Sequence, residues 1–301
     1  MGSEQPNLLE IKEFLVGLAR KAGEMIMAAH PSTGTSGSKK NSADLVTETD
    51  RAVEAMVSSS LKAKYPTYSF LGEETYKPGM KLTSAPTFIC DPIDGTVNFV
   101  HSFPNVCISL GFTVNYTPVV GVIFNPFQSL LYSAISGSGA TVTNVLTSKT
   151  QPLPLKQTPE PLTGLQNSLV AVEWGSDRNG NNWKTKTETF LKLAAEIEDG
   201  GKMVHSLRCS GSAALNLCAV AAGTIDVYWE AGCWAWDVCA GWVILKEAGG
   251  IMVDANPGNW EPTVDGRRYM AVRGVGNAGG QKEMVEEFWG VVGDNIFVYE
   301  N

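Results

Sequence analysis

Residues 7–29, NLLEIKEFLVGLARKAGEMIMAA, return apolar side chains every three or four positions, and this spacing predicts a long amphipathic helix. The periodicity lapses over 31–44, PSTGTSGSKKNSAD, where Gly, Ser and Lys predict a mobile loop. Helical spacing resumes near Thr49, with Ala52, Val53, Met56 and Val57 on one face, and stops before Tyr65-Pro66. Short β-type runs follow: TYSFLG (67–72), TFICD (87–91), VCISLGFTV (106–114), VVGVIFN (119–125) and LLYSAIS (130–136). Gly, Pro and Asn separate them, and SGSGA (136–140) reads as a turn.

Residues 150–167 carry four prolines and read as a connection between two halves. Beyond it, LVAVE (169–173), MVHSLR (203–208), IDVYWE (225–230), GIMVDA (250–255) and RYMAVRG (268–274) are expected as strands. Helices are expected at 183–198, at 211–223 (rich in small residues), at 236–250 (ending in a Gly-Gly stop) and near Gln281–Trp289. Strands and helices alternate in blocks, so the class is α/β or α+β with mixed sheets. No internal repeat is visible. The 301 residues are enough for one large domain or two ordinary ones, and the connection divides the chain into an N-terminal half, about 1–149, and a C-terminal half, about 168–301.

Composition narrows the function. Hydrophobic residues make up 44% and charged ones 18%, too apolar for a disordered chain. A net charge of −8 argues against a nucleic-acid partner, which needs clustered Lys and Arg. A small phosphorylated substrate stays open, because a bound cation can reverse the local field. The opening MGSEQPNLLEIKEF lacks the basic start and apolar core of a secretory signal, and no apolar run approaches the roughly 20 residues of a membrane helix. Six cysteines stand in apolar contexts without a CxxC pair, which suits buried free thiols in a reducing compartment and a cytoplasmic protein.

The chemistry concentrates in FICDPIDGTVNFVHSFP (88–104). Asp91 ends an apolar strand, Pro92 fixes its φ and suits a first helical turn, and Asp94 points back across that turn. Gly95 and Thr96 then offer amides and a hydroxyl at a helix N-terminus, which favours an anion. One loop thus presents carboxylates for a cation and amides for a phosphate; few oxygen ligands with positions left for substrate suit Mg²⁺. The plainer alternative is an Asx-turn with a helix cap. Elsewhere, FLGEET (70–75) places Glu73 and Glu74 after a strand, which also reads as a helix start. EAGCWAWDVCAG (230–241) places Asp237 in the first turn of an apolar helix, either matching the dipole or desolvated and in need of a partner.

Other chemistries find less support. Cys233 and Cys239 have no histidine nearby in sequence, and His30, His101 and His205 are isolated and read as structural or surface residues, although His101 follows the acidic loop. Ser212 has no GxSxG elbow, SGSGA is an incomplete dinucleotide motif, and GSKK (37–40) lacks the ending of a P-loop. Trp234, Trp236 and Trp242 read as core.

Taken in order, Gly72-Glu73-Glu74, DPIDGT (91–96) and Trp236-Asp237 followed by Gly241 resemble the inositol monophosphatase family of magnesium-dependent, lithium-sensitive phosphatases. The likeness runs from about Glu10 to Arg273 and takes in DLVTETD (44–50), NFVHSFP and SGSAALN (210–216). It implies a layered αβαβα sandwich of the sugar-phosphatase type, a single catalytic domain, a homodimer, and hydrolysis of myo-inositol monophosphates by metal-activated water with two or three Mg²⁺. It implies that Glu73, Asp91, Asp94, Asp237 and the Ile93 carbonyl hold the metals, and that the Gly95 and Thr96 amides cradle phosphate. Thr96 with Asp50 would orient the attacking water, which Glu73 also contacts. Glu230 would hydrogen-bond a substrate hydroxyl, Gly211, Ser212 and Ala213 would line the sugar ring with Asp94 and Asp237 close by, and Lys39 would stand near the third metal position.

Three departures bear on substrate. Val97 stands where many members have a second threonine, Ala235 precedes Trp236 where relatives vary, and the proline-rich 150–167 is not among the stretches that carry the resemblance. The GTVNFVH that follows Asp94 agrees with inositol monophosphatases rather than with relatives acting on phosphoadenosine phosphate or fructose bisphosphate. The alternatives are the same chemistry on another sugar phosphate, such as galactose 1-phosphate or a pathway-specific phosphate, and a non-catalytic sugar-phosphate-binding regulator. Neither a nucleic acid nor a membrane is expected as a partner.

Overall fold

The computed structural model describes residues 5–29, 36–38 and 45–299. Helix α1 (Leu8–Ala28) is started by Asn7, whose side chain accepts the Glu10 amide at 3.2 Å. Within the stretch expected to be a loop, β1 (Gly37–Ser38) pairs antiparallel with β2 (Leu45–Val46). Helix α2 (Glu48–Lys64) follows. Then come β3 (Ser69–Gly72), β4 (Thr87–Asp94), the short α3 (Thr96–Val100), β5 (Cys107–Val114), β6 (Thr117–Asn125), β7 (Leu130–Ile135), β8 (Ala140–Asn144) and β9 (Lys149–Pro152). Strands β3 to β9 form one seven-stranded sheet in sequence order, antiparallel except for the parallel β3–β4 pair. Neither β8 nor β9 was expected. ATVTN alternates small and polar residues, and the exposed edge strand KTQP ends in proline, so neither carries an apolar signal.

After a 3-10 turn (Leu165–Asn167) the second half contributes β10 (Leu169–Val172), α4 (Gly180–Ala194), β11 (Ser206–Arg208), α5 (Ala213–Ala222), β12 (Val227–Ala231), α6 (Ala235–Glu247), β13 (Ile251–Val253), β14 (Arg268–Val272) and α7 (Gln281–Val292). Its sheet is mixed, in the order β11-β10-β12-β14-β13. Helix α4 starts and stops earlier than the expected 183–198, because Ala195 turns extended and residues 196–201 form turns.

The layers run α1–α2, seven-stranded sheet, α5–α6, five-stranded sheet, α4–α7. The central pair α5–α6 packs on both sheets, so side chains of both halves meet in shared clusters. Ile89, Leu71, Leu217, Trp236 and Tyr228 belong to one cluster, and Cys107, Ile123, Cys218, Val243 and Ile244 to another. Helix α6 lies unusually close to β5 and β6. A Cβ on Gly121 would overlap the Ala240 carbonyl oxygen, and one on Gly111 would overlap the Cys239 sulfur. Glycine is needed at both positions because backbone and helix meet there.

This approach sets the height of α6 over the sheet and yields a prediction. Gly121→Ala should destabilise the protein by about 1–3 kcal/mol through overpacking. Gly17→Ala, on the exposed face of α1 with open space around it, should be neutral or stabilising by up to about 1 kcal/mol. Urea denaturation of the two variants checks both, and equal midpoints would refute the close-packing argument.

Candidate active site

Strand β4 does not stop at Asp91. It runs on to Asp94, and its register against β5 shifts between the two acids. Pro92 therefore sits in a β-bulge and not in a helical turn, the place a strand interior tolerates proline. The bulge turns both acids to the same side, and Asp91 closes its own turn by accepting the Ile93 amide at 3.0 Å. Gly95 follows at φ +94, and helix α3 begins at Thr96. A Cβ on Gly95 would stand 2.9 Å from the Asn105 carbonyl and 3.1 Å from that of Gly211. Position 95 thus needs glycine for both its conformation and its neighbours.

Three carboxylates meet here. One oxygen each of Asp91, Asp94 and Asp237 lie within 4.8 Å of one another. Asp94 Oδ2 accepts from Ser212 Oγ at 2.6 Å and from the Ala214 amide at 2.7 Å, at the N-terminus of α5. Asp237, in the first turn of α6, accepts the Trp234 amide at 2.6 Å. Asp91 and Asp94 are buried and Asp237 half-buried. Burial pushes Asp91 well above the usual carboxylate range, helped by the charges of Glu73, Asp94 and Asp237. Burial likewise lifts Asp237, with Asp94 and Glu73 adding to it. Asp94 is pushed up to about 6, burial outweighing its Ser212 and Ala214 donors. Among the described residues no Lys or Arg forms an ion pair with any of the three. An oxygen-only, like-charged, desolvated cluster of this kind fits a hard divalent cation.

Beside the cluster stands Thr96, whose hydroxyl lies 3.0 Å from the Ile93 carbonyl and 3.2 Å from Asp50 Oδ1. Asp50 is held by a capping box. Its Oδ2 accepts the Thr47 amide at 2.9 Å and the Thr47 hydroxyl, while Thr47 Oγ1 accepts the Thr49 amide. Burial raises the Asp50 pKa against these donors. Glu73 sits against Asp91, with its amide on the Cys90 carbonyl at 3.1 Å, in a turn rather than the helix start considered from sequence. That turn is held from below by buried Glu54, which accepts the Glu74 amide at 2.7 Å.

Of these groups Glu73, Asp94, Thr96 and Asp237 open onto a cleft of about 1110 Å³ that also takes in Gly95, Gly211, Ser212, Ala213 and Glu230. The Ser210–Gly211 turn is fixed by two residues that sequence reasoning missed. Glu173 Oε1 accepts the Ser210 and Gly211 amides at 2.7 and 2.9 Å, and Asn98 Nδ2 donates to the Ser210 carbonyl at 2.8 Å. Burial pushes Glu230 up to about 7, opposed chiefly by the charge of Lys186. Two expectations need correction. Cys209 is exposed and lines the cleft, because it precedes the Ser210–Gly211 turn rather than lying in a helix or strand core. Trp234 is a cleft wall, stacked on Trp236 with ring centroids 5.2 Å apart and covered by the Arg267 guanidinium at 3.5 Å. Trp236 and Trp242 are buried as expected. Of the named candidates, Lys39 and His30 lie outside the described residues; Glu73, Asp94, Gly95, Thr96, Gly211, Ser212, Ala213, Glu230 and Asp237 line this cleft, with Asp50, Asp91 and Ile93 behind it, while His101 and His205 do not line it.

Comparison with known proteins agrees with this geometry. The model of the inositol monophosphatase family matches residues 7–292. The chain belongs to the inositol monophosphatase family. It is 44% identical over 288 residues to inositol monophosphatase 2 of Saccharomyces cerevisiae, covering 94% of each chain. It is 39% identical over 254 residues to human inositol monophosphatase 1, covering 84% of this chain and 86% of that one. Among solved structures, the extragenic suppressor protein suhB from Bartonella henselae superposes with a TM-score of 0.75 at 26% identity, over 95% of this chain and 100% of that one. The αβαβα layering expected from the resemblance is the layering observed, and the family is one of metal-dependent phosphatases.

The raised acids set a pH dependence. In the metal-free protein the unfolded chain releases these protons near the usual aspartate value of 3.8, while folded Asp94 keeps its proton to about 6. Stability should therefore fall as pH rises through that window, by on the order of 2–3 kcal/mol for Asp94 alone. A divalent cation should restore it, with a larger rise in Tm at about pH 7.5 than at about pH 5. Calorimetry of the metal-free and Mg²⁺-loaded protein, with Asp94→Asn as the control that flattens the slope, checks this.

Proposed function

We propose that this chain is a Mg²⁺-dependent phosphomonoesterase that hydrolyses myo-inositol monophosphates to inositol and phosphate. The observation that carries the reading is the placement of three carboxylates within 4.8 Å of one another at the end of a cleft that also holds Thr96 and Glu230. Glu73, Asp91, Asp94, Asp237 and the Ile93 carbonyl would hold two or three Mg²⁺. When bound, the ions supply positive charge against the phosphoryl oxygens and favour ionisation of the attacking water.

The chain's own groups do the rest. Thr96, fixed between Asp50 and the Ile93 carbonyl, orients the water, and Glu73 receives a contact from it. The amides of Gly95 and Thr96 cradle the phosphate at the start of α3. Glu230 accepts a hydrogen bond from a hydroxyl of the leaving polyol, and the Gly211–Ala213 segment forms the wall beside the ring. Lys39 is assigned to the third metal position on the resemblance alone. The reading includes a single catalytic domain of two halves, a homodimer, lithium sensitivity and a reducing, cytoplasmic setting suited to six free thiols.

A second reading keeps the chemistry and changes the polyol. A relative 41% identical over 295 residues, from Emericella nidulans, is protein qutG, and one 39% identical over 321 residues, from Neurospora crassa, is named for a quinic acid degradation cluster. Galactose 1-phosphate is the first competing substrate.

Phosphate release from myo-inositol 1-phosphate, with Mg²⁺ raised from zero and lithium then added, tests the reading. Release should require Mg²⁺ and fall with lithium. Asp94→Asn should lower turnover at least about a thousandfold while the circular dichroism of the fold is retained. Unchanged turnover in that variant refutes the assigned metal role, and release from galactose 1-phosphate alone moves the substrate.

A further inference from the structure

Lys186 of α4 is fully buried, and nothing in the roles above uses it. A lysine out of water needs partners. Its Nζ donates to the carbonyl of Trp174 at 2.9 Å and to that of Ala231 at 3.2 Å. Trp174 begins the turn that follows β10, and Ala231 is the last residue of β12, one beyond Glu230. Phe297 of the C-terminal segment covers the ammonium, its ring centroid 6.0 Å away. Gly175, at φ +56, passes between lysine and acid. A Cβ there would stand 2.9 Å from Lys186 Nζ and 3.8 Å from Glu230 Oε1.

We propose that Lys186 is the positioning residue of Glu230: from behind the cleft wall it ties the Trp174–Gly175 turn to the end of β12 and favours the ionised form of the Glu230 carboxylate, the form that accepts a hydrogen bond from a substrate hydroxyl. The last clause rests on the reading of Glu230 given above. The balance of charge is consistent with this. Glu230 faces Tyr228 of its own strand, which donates to it, and Cys233 just beyond. Glu173, just after β10, and Asp237 of α6 add negative charge, Cys209 lies close by, Arg178 and Arg267 line the same cleft, and Lys186 is the cation that acts most strongly on Glu230. Around the lysine itself stand Glu230, Cys233 and Asp177, with Arg178 opposing them.

The test separates the electrostatic role from a structural one. Lys186→Met removes charge and donors, Lys186→Gln keeps donors without charge, and Lys186→Arg keeps charge. The carboxylic C=O stretch of Glu230, assigned by its loss in Glu230→Gln, is titrated by infrared difference spectroscopy in each Mg²⁺-loaded protein. Hydrolysis is compared on myo-inositol 1-phosphate and on p-nitrophenyl phosphate, which has no free hydroxyl. In Lys186→Gln and Lys186→Met the Glu230 midpoint should rise by about one pH unit, a tenfold change in proton affinity. The ratio of kcat/KM for the two substrates should fall about tenfold through a raised KM for the inositol ester, and Lys186→Arg should recover most of it. An unmoved midpoint overturns the proposal. So does an equal loss on both substrates in all three variants, which is what a merely structural lysine gives. A midpoint that moves as expected, with no inositol 1-phosphate turnover even in the wild type, supports the pairing of Lys186 with Glu230 and refutes the substrate reading instead.

Discussion

Like charges resist being brought together out of water, and this protein holds three carboxylates within 4.8 Å of one another. The remainder of the fold is organised around keeping them there. Each acid is tied through local donors: the bulge of β4 turns the Ile93 amide onto Asp91, the start of α5 gives Asp94 a hydroxyl and an amide, and the start of α6 gives Asp237 an amide. Two of the three restraints therefore come from helix N-termini, where backbone amides and the helix dipole both favour negative charge. A donor set this short of cations does not neutralise the cluster. It fixes the geometry and leaves the net charge to an ion supplied from solution.

The cluster also draws on both halves of the chain. Asp91 and Asp94 come from the seven-stranded sheet, Asp237 and the donors to Asp94 from the central helix pair. Their spacing depends on how deeply α5 and α6 settle between the sheets. Glycines at 111 and 121 remove the side chains that would keep α6 away from β5 and β6, and Gly241 lets Leu217 of α5 come within 2.6 Å of where its Cβ would be. Small residues far from the cleft thus set distances inside it, and a change of one methyl group in this layer acts on the acids through rigid packing.

Much of the site was legible because it is local in sequence. DPIDGT puts two acids, a glycine and a hydroxyl into six residues, and Asp237 stands out as a lone acid in an apolar helix. The helices were legible from their spacing, since α1, α2 and α6 each present a continuous apolar stripe or core. What escaped reading depends on contacts across the fold. Glu173 and Asn98 look like ordinary strand and helix residues until residues 210–211 are brought to them. Glu54 sits at a helical position that fits a solvated face, yet it is buried under the Glu73–Glu74 turn. Pro92 was misplaced because a proline after an acid more often opens a helix than sits in a bulge. The Thr47–Asp50 capping box was written locally, as a threonine three residues before an acid at the start of a helix, and is the one missed signal that sequence spacing alone contained.

The two ends of the cleft solve the same problem in opposite ways. Glu230 is buried like Asp91, but a buried lysine stands behind it, so its charge is partly offset from within the protein. No described lysine or arginine pairs with the three aspartates, and their own mutual repulsion raises their pKa values together with burial. An acid with a cation behind it is held closer to its ionised form than burial alone would leave it, which suits an acceptor for a hydroxyl. An unbalanced cluster changes its charge state and its stability when a cation arrives, which suits a centre where negative charge must be taken up during reaction. On the proposed reading the asymmetry gives the cleft a direction: an anionic group would be drawn to the end completed by the cation, and the hydroxyl-bearing part of the same molecule would be left facing Glu230.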